Sequence, residues 1–308
     1  MRLNLPWRRP QPEPGPIVLG SRRLYILPTR LGLVFGALLL GLLLASMNYG
    51  INLGYLFTFL LASIGVVGLL HTQRGLLGLR LTPLAAPPVF AGESARLALR
   101  IDNPGQRWRG GLRLATDTTQ AEPLDLPPGG GGEAILTLPQ PVRGWHRPGR
   151  LSLASTWPLG LFRCWTVFEL DWGVLVYPKP AADALPWPDT PGAGLGVSTQ
   201  RAGEDEFTGL RAYRPGDSPR RIAWKSVARD QAPLTKQFSG SGGRELWLDW
   251  SACPEHEPEA RLSRLARWIL DAEQAGLTWG LVLPGLRLPP GHGDRQRDRA
   301  LEALARHG

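Results

Sequence analysis

Cysteine is scarce in this 308-residue chain, which has only Cys164 and Cys253. Two scattered thiols exclude a disulfide framework, so reduced thiols are expected. The common catalytic signatures are missing as well: there is no G-x-S-x-G elbow, no H-E-x-x-H and no Walker loop. Cys253 and His256 make one C-x-x-H without a second pair for zinc, and neither cysteine has an evident His–Asp pair for nucleophilic catalysis. Gly129 to Gly132 lies between strand-like runs and opens no helix, which argues against a phosphate cradle. Charge is absent from one long stretch, Leu31 to Leu70.

That uncharged run is too long for one helix and suits two. The pattern predicts spans over about Leu31–Met47 and Tyr55–Leu70, with Asn48 to Asn52 as the turn. Arg22, Arg23 and Arg30 flank one side and Arg74 and Arg80 the other, while the turn carries no cation. The positive-inside rule then puts both termini in the cytoplasm, with the hairpin in the inner membrane. Residues 1–30, rich in proline and arginine, are expected to form a poorly ordered tail. The formal charge of +9 fits a membrane-flanking protein, and without an aromatic-interleaved basic motif no nucleic acid is expected as a partner.

Residues 75–180 change to alternation. Leu77–Leu81, Ala95–Ile101 and Leu112–Leu114 place apolar residues at every second position, and Ala134–Leu138 does so less strictly. Thr166–Leu170 and Val174–Tyr177 add short β-prone runs, with turn chemistry at Asp102-Asn103-Pro104-Gly105 and Pro127-Pro128-Gly129-Gly130. The expectation is a β-sandwich-like module or small barrel, with Trp108, Trp145, Trp157, Trp165 and Trp172 in its core. Residues 181–202 read as a Pro/Gly/Ala-rich linker.

Residues 203–308 combine a dense polar stretch with a small α/β module. The stretch opens with Glu204, Asp205 and Glu206, turns at Pro215-Gly216-Asp217 and predicts a helix from Ser218-Pro219. Arg221, Lys225 and Arg229 would form a basic stripe on that helix. Such a stripe can pair with the acids upstream or present arginine forks to an acidic partner or phosphate. Further on, Pro233–Phe238, Glu245–Trp250 and Trp279–Leu283 read as strands. A helix begins near Pro258 and ends before Gly276, and another opens at Asp294. Strand, helix, strand, helix implies a parallel pair.

Glu206-Phe207, Leu210-Arg211, Tyr213-Arg214-Pro215-Gly216-Asp217, Arg221-Ile222, Trp224-Lys225 and Ala228-Arg229 resemble the signature of domain-of-unknown-function family 58. Its members are bacterial membrane-tethered proteins with no assigned activity. The paired hydrophobic segments and Pro158-Leu159-Gly160-Leu161-Phe162 extend the resemblance over nearly the whole chain. Asp249-Trp250-Ser251-Ala252-Cys253 is similar to the Asp-x-Ser-x-Ser metal motif of von Willebrand factor A domains, with Cys253 in place of the last serine. The resemblance thus implies a membrane-anchored multidomain protein: a two-helix transmembrane hairpin, a β-sandwich-like module and a small von Willebrand A-like module. It also implies a MoxR-type AAA+ ATPase as partner, with transglutaminase-like and von Willebrand A membrane proteins nearby. Expected docking or signature residues are Glu206, Arg211, Tyr213, Arg214, Asp217, Arg221, Trp224, Lys225 and Arg229. Asp249 and Ser251 are candidate ligands for Mg2+, and no other cofactor is implied. The competing reading is an enzyme of unrecognised type, or a module that binds a divalent metal or an anionic ligand, with Glu204 and Glu206 beside Arg211 and Arg214.

Overall fold

The computed structural model describes residues 11–187 and 246–307, together with the backbone of Phe207–Ala212 and Leu234–Phe238. The chain divides into two compact units, the first ending at Tyr177 and the second starting at Pro178.

The first unit begins with strands β1 (Ile17–Val18) and β2 (Tyr25–Pro28), then helices α1 (Arg30–Tyr49) and α2 (Asn52–Arg74). Strands β3 (Arg80–Pro83), β4 (Val89–Phe90), β5 (Ser94–Asp102), β6 (Arg109–Ala115) and β7 (Leu124–Leu126) follow. The unit finishes with β8 (Gly131–Pro139), β9 (Gly144–His146), β10 (Leu151–Ser155), β11 (Phe162–Phe168) and β12 (Val174–Tyr177).

At 1.5 Å per residue α1 and α2 are about 30 Å and about 35 Å long, each enough to cross a bilayer core. They reach that length by taking residues from the expected turn: helix continues through Asn48, Tyr49 and Asn52 and leaves only Gly50 and Ile51 between them. Gly50 makes that turn possible: it adopts φ 62°, a left-handed conformation costly to other residues, and its N–H caps the Ser46 carbonyl. The helices meet through small residues. Ser46 packs on Gly54, and a methyl at Gly65 would lie 3.2 Å from the Phe35 ring. Their large apolar side chains face outward instead, as Leu33, Leu38, Leu53 and Leu56 do.

Three sheets make up the rest of the unit: β1-β3-β5-β8, β2-β11-β10-β6-β7 and β4-β12-β9. In β5, Ala95, Leu97, Leu99 and Ile101 are fully buried while their neighbours face out, as period two requires. Leu136 of β8, Leu114 of β6, Leu153 of β10 and Phe168 of β11 join them in one core, so the two larger sheets close on each other as a sandwich.

Two expectations fail here. Residues 11–30 are no loose tail: β1 pairs with β3, β2 pairs with β11, and Ile17 and Leu19 enter the core. Both strands are too short for periodicity to show, and tertiary pairing sets them. The tryptophans are also mostly not core. Trp172 is buried and its indole N–H donates to Leu84 O, but Trp165 is half-buried and Trp108, Trp145 and Trp157 are exposed. A third, smaller difference is at Leu77–Leu79, read as strand and found as turn before β3.

In the second unit β13 (Phe207–Ala212) pairs antiparallel with β14 (Leu234–Phe238). Then come β15 (Leu246–Asp249), α3 (Pro258–Gln274), β16 (Trp279–Leu283), β17 (Leu286–Gly291) and α4 (Asp294–Arg306). β15 and β16 are parallel, joined through α3, and β17 adds an antiparallel edge the sequence reading lacked. Leu262, Leu265, Ala266 and Ile269 form the buried face of α3. Residues 181–187, read as linker, lie along this helix: Ala181 N–H donates to Ser263 O, and the Trp268 indole donates to Leu185 O.

Candidate functional site

Most of the signature stretch lies outside the described residues, including Glu204, Glu206, Tyr213, Arg214, Asp217, Arg221, Trp224, Lys225 and Arg229 and the helix expected from Ser218. Arg211 falls on β13, opposite Thr235 of β14. Pairing of Ala212 with Leu234 brings together the two ends of the segment that carries Tyr213 to Arg229, so that segment leaves and rejoins the protein at one place.

The carboxyl end of β15 holds the proposed metal residues. Asp249 accepts from the Ser251 N–H and from the Ser251 hydroxyl, both at 2.7 Å, and so caps the short 3-10 turn Trp250–Ala252. Cys253 is buried, its thiol near Asp249 O and Arg261 O. Burial, with the nearby Glu255 carboxylate, pushes its pKa up to about 12. A neutral thiol is a poor ligand for a hard cation, so the donor set here amounts to two oxygens already bonded to each other. Among the described residues no group of three His, Cys, Asp or Glu side chains is placed to hold a metal. In this geometry Asp249 caps the turn, and Asp249 and Ser251 are its two hard donors.

Next to this turn is an ion cluster that sequence reasoning missed. Arg264 on α3 is buried, yet it donates to Glu255 at 2.7 Å and, through two nitrogens, to Asp183 at 2.7–2.9 Å. Burial works against its charge, but the hydrogen bonds to Asp183 and Glu255 outweigh burial, and its pKa is raised. The same bond holds the Asp183 carboxyl below its usual range. This is a structural clamp that fixes residues 181–187 on α3.

The second arrangement is the joint between helix hairpin and sandwich. Thr29, the N-cap of α1, accepts from Gly32 N–H, donates its hydroxyl to Gly160 O at 2.6 Å, and donates its N–H to Leu161 O at 2.8 Å. On the other helix Thr72 donates to Gly68 O and to Trp157 O, at 2.9 and 3.0 Å. Arg109 reaches from β6 to donate to Arg74 O and Leu77 O, closing the carboxyl end of α2 with a cation. Burial and the neighbouring Arg107 lower the Arg109 pKa. The β10–β11 loop, which contains Pro158 to Leu161, therefore binds both helices at once. Fit is close: a methyl on Gly68 would lie 2.9 Å from the Leu159 side chain, and one on Gly32 would collide with Leu161 O. Thr29, directly before the apolar run, is a legible cap; Arg109 carries no sequence signal because its partners are remote in the chain.

No family model matches the chain, and no curated protein matches it.

Proposed function

We propose that this chain is a membrane-anchored adaptor on the cytoplasmic face of a bacterial inner membrane. In this reading α1 and α2 span the bilayer, and the segment between β13 and β14 docks a MoxR-type AAA+ ATPase that works on membrane or envelope clients. Transglutaminase-like and von Willebrand A membrane proteins are the neighbours such an assembly would include. The observation that carries the anchor is the hairpin itself. Its two helices are long enough to span, their large apolar side chains face away from the protein, and their base is hydrogen-bonded into a folded β-module. The docking assignment rests on the resemblance and on the chemistry of the stretch. Arg211, Tyr213, Arg214, Asp217, Arg221, Trp224, Lys225 and Arg229, with Glu206, combine arginine forks and aromatics suited to an acidic protein surface.

A quantitative pull-down from native membranes tests the reading, comparing the intact chain with a folded Arg221/Lys225/Arg229→Ala variant. Enrichment of an AAA+ ATPase by the intact chain, lost in the variant, is the expected result. If neither enriches an ATPase, the adaptor reading falls and binding of an anionic ligand by the same arginines becomes the reading to pursue.

A further inference from the structure

The β10–β11 loop has an unusual combination of properties. Residues Thr156 to Leu161 include no charged side chain. Trp157 and Leu159 are 37% and 44% exposed, and Leu31, Val67 and Leu70 on the helices are exposed as well; a methyl on Gly160 would lie 3.8 Å from the Leu31 side chain. The loop's depth is fixed by its contacts. Trp157 O meets Thr72 at the end of α2, while the Leu159 side chain reaches Gly68, one helical turn further along. If α2 spans a bilayer, Thr72 is at headgroup level and Gly68 is at the edge of the hydrocarbon.

Backbone that enters that zone needs its polar groups paired, since water is lost there. Part of this loop's backbone is paired in that way. Trp157 N–H donates to the Ser155 hydroxyl, and Gly160 N–H donates to Thr156 O. Trp157, Gly160 and Leu161 carbonyls accept from Thr72 or Thr29, and Pro158 has no N–H to satisfy. Gly160, at φ 71°, supplies the left-handed turn that makes this closure possible. A tryptophan beside a leucine, with Arg30 and Arg74 flanking at the helix ends, is the composition that sits at a membrane interface.

We infer that the Thr156–Leu161 loop inserts into the acyl–headgroup boundary beside the hairpin, as a third membrane element that Trp157 and Leu159 anchor in lipid. The inference rests on the membrane-anchor reading above. The loop fixes the sandwich at one height and one rotation on the bilayer surface, which two helices joined by a flexible connection would not do.

The test uses the full chain in phospholipid vesicles, with an environment-sensitive fluorophore on single introduced cysteines at Leu159, Thr156, Leu38 and Ile135. Native Cys164 and Cys253 are buried, and the unsubstituted chain labelled alongside gives the blank. Lipids with a nitroxide at the top of the acyl chain quench labels at that depth. Several-fold stronger quenching at Leu159→Cys and Thr156→Cys than at Ile135→Cys, which lies exposed on β8, is expected. Quenching of Leu38→Cys by mid-chain nitroxide, with both loop labels no more quenched than Ile135→Cys, overturns the loop inference and leaves the anchor standing. Absence of quenching at Leu38→Cys as well overturns the anchor and the loop inference together. Two loop positions are used so that a folding failure at one leaves the other to decide.

Discussion

Arg264 shows how one side chain can decide a local structure. Its guanidinium is buried between Glu255 and Asp183, and one Glu255 oxygen has no hydrogen-bond partner among the described residues. Replacing Arg264 with Met would leave that carboxylate buried without its cation. We expect the second unit to lose about 3 kcal/mol, measured by denaturant unfolding. Acid should act through the same contact. The Asp183 pKa is depressed in the folded state, so its contribution is present above the unfolded carboxylate range and is lost as pH falls through the lower folded value. Asp183→Asn should flatten that acid-side decline in thermal stability. The effect will be small, since Asp183 itself is largely exposed. The thiols give a third residue-level expectation. Burial pushes Cys164 up to about 11 and Cys253 up to about 12, so neither should react with iodoacetamide at neutral pH until the chain unfolds. Rapid alkylation of native protein would contradict the buried placement.

Among the elements, those with a long regular pattern were readable from the sequence and those defined by partners were not. The alternation of Ala95 to Ile101 and the apolar face of α3 each follow from one period of hydrophobicity. Strands β1, β2, β4 and β9 are two to four residues long and owe their existence to neighbours over sixty residues distant or to short edge pairings. The tryptophans misled for a related reason: size predicts burial only where a core needs filling, and Trp157 instead covers Gly110 at the helix joint. Of the candidate site, the Asp249–Ser251 turn could be located but not interpreted, because its carboxylate is committed to a local cap. Titration calorimetry with Mg2+ or Mn2+ tests the metal candidate, which requires heat that is lost in Asp249→Ala, and Asp249→Ala should cost about 1 kcal/mol through the lost cap. At the joint, Gly32→Ala must displace the Leu161 carbonyl. It should destabilise the first unit by about 1–3 kcal/mol, which thermal unfolding in lipid nanodiscs would register.

For the whole molecule, the arginines at 22, 23, 30, 74 and 80 frame the hairpin on one side only. A reporter active only outside the cytoplasm, fused after Gly308, should stay silent, while the same reporter inserted at Gly50 should be active. The reverse pattern would invert the proposed topology and remove a cytoplasmic ATPase from consideration. Strand pairing adds a constraint of a different kind, on synthesis. Leu27 of β2 is paired with Arg163 of β11, and Ile17 of β1 with Leu81 of β3. The hairpin lies between the members of each pair, so β2 leaves the ribosome long before its partner exists. At roughly 5–20 residues per second that interval is on the order of 10 s. In the proposed topology the helices would enter the bilayer while the first strands still lack their partners.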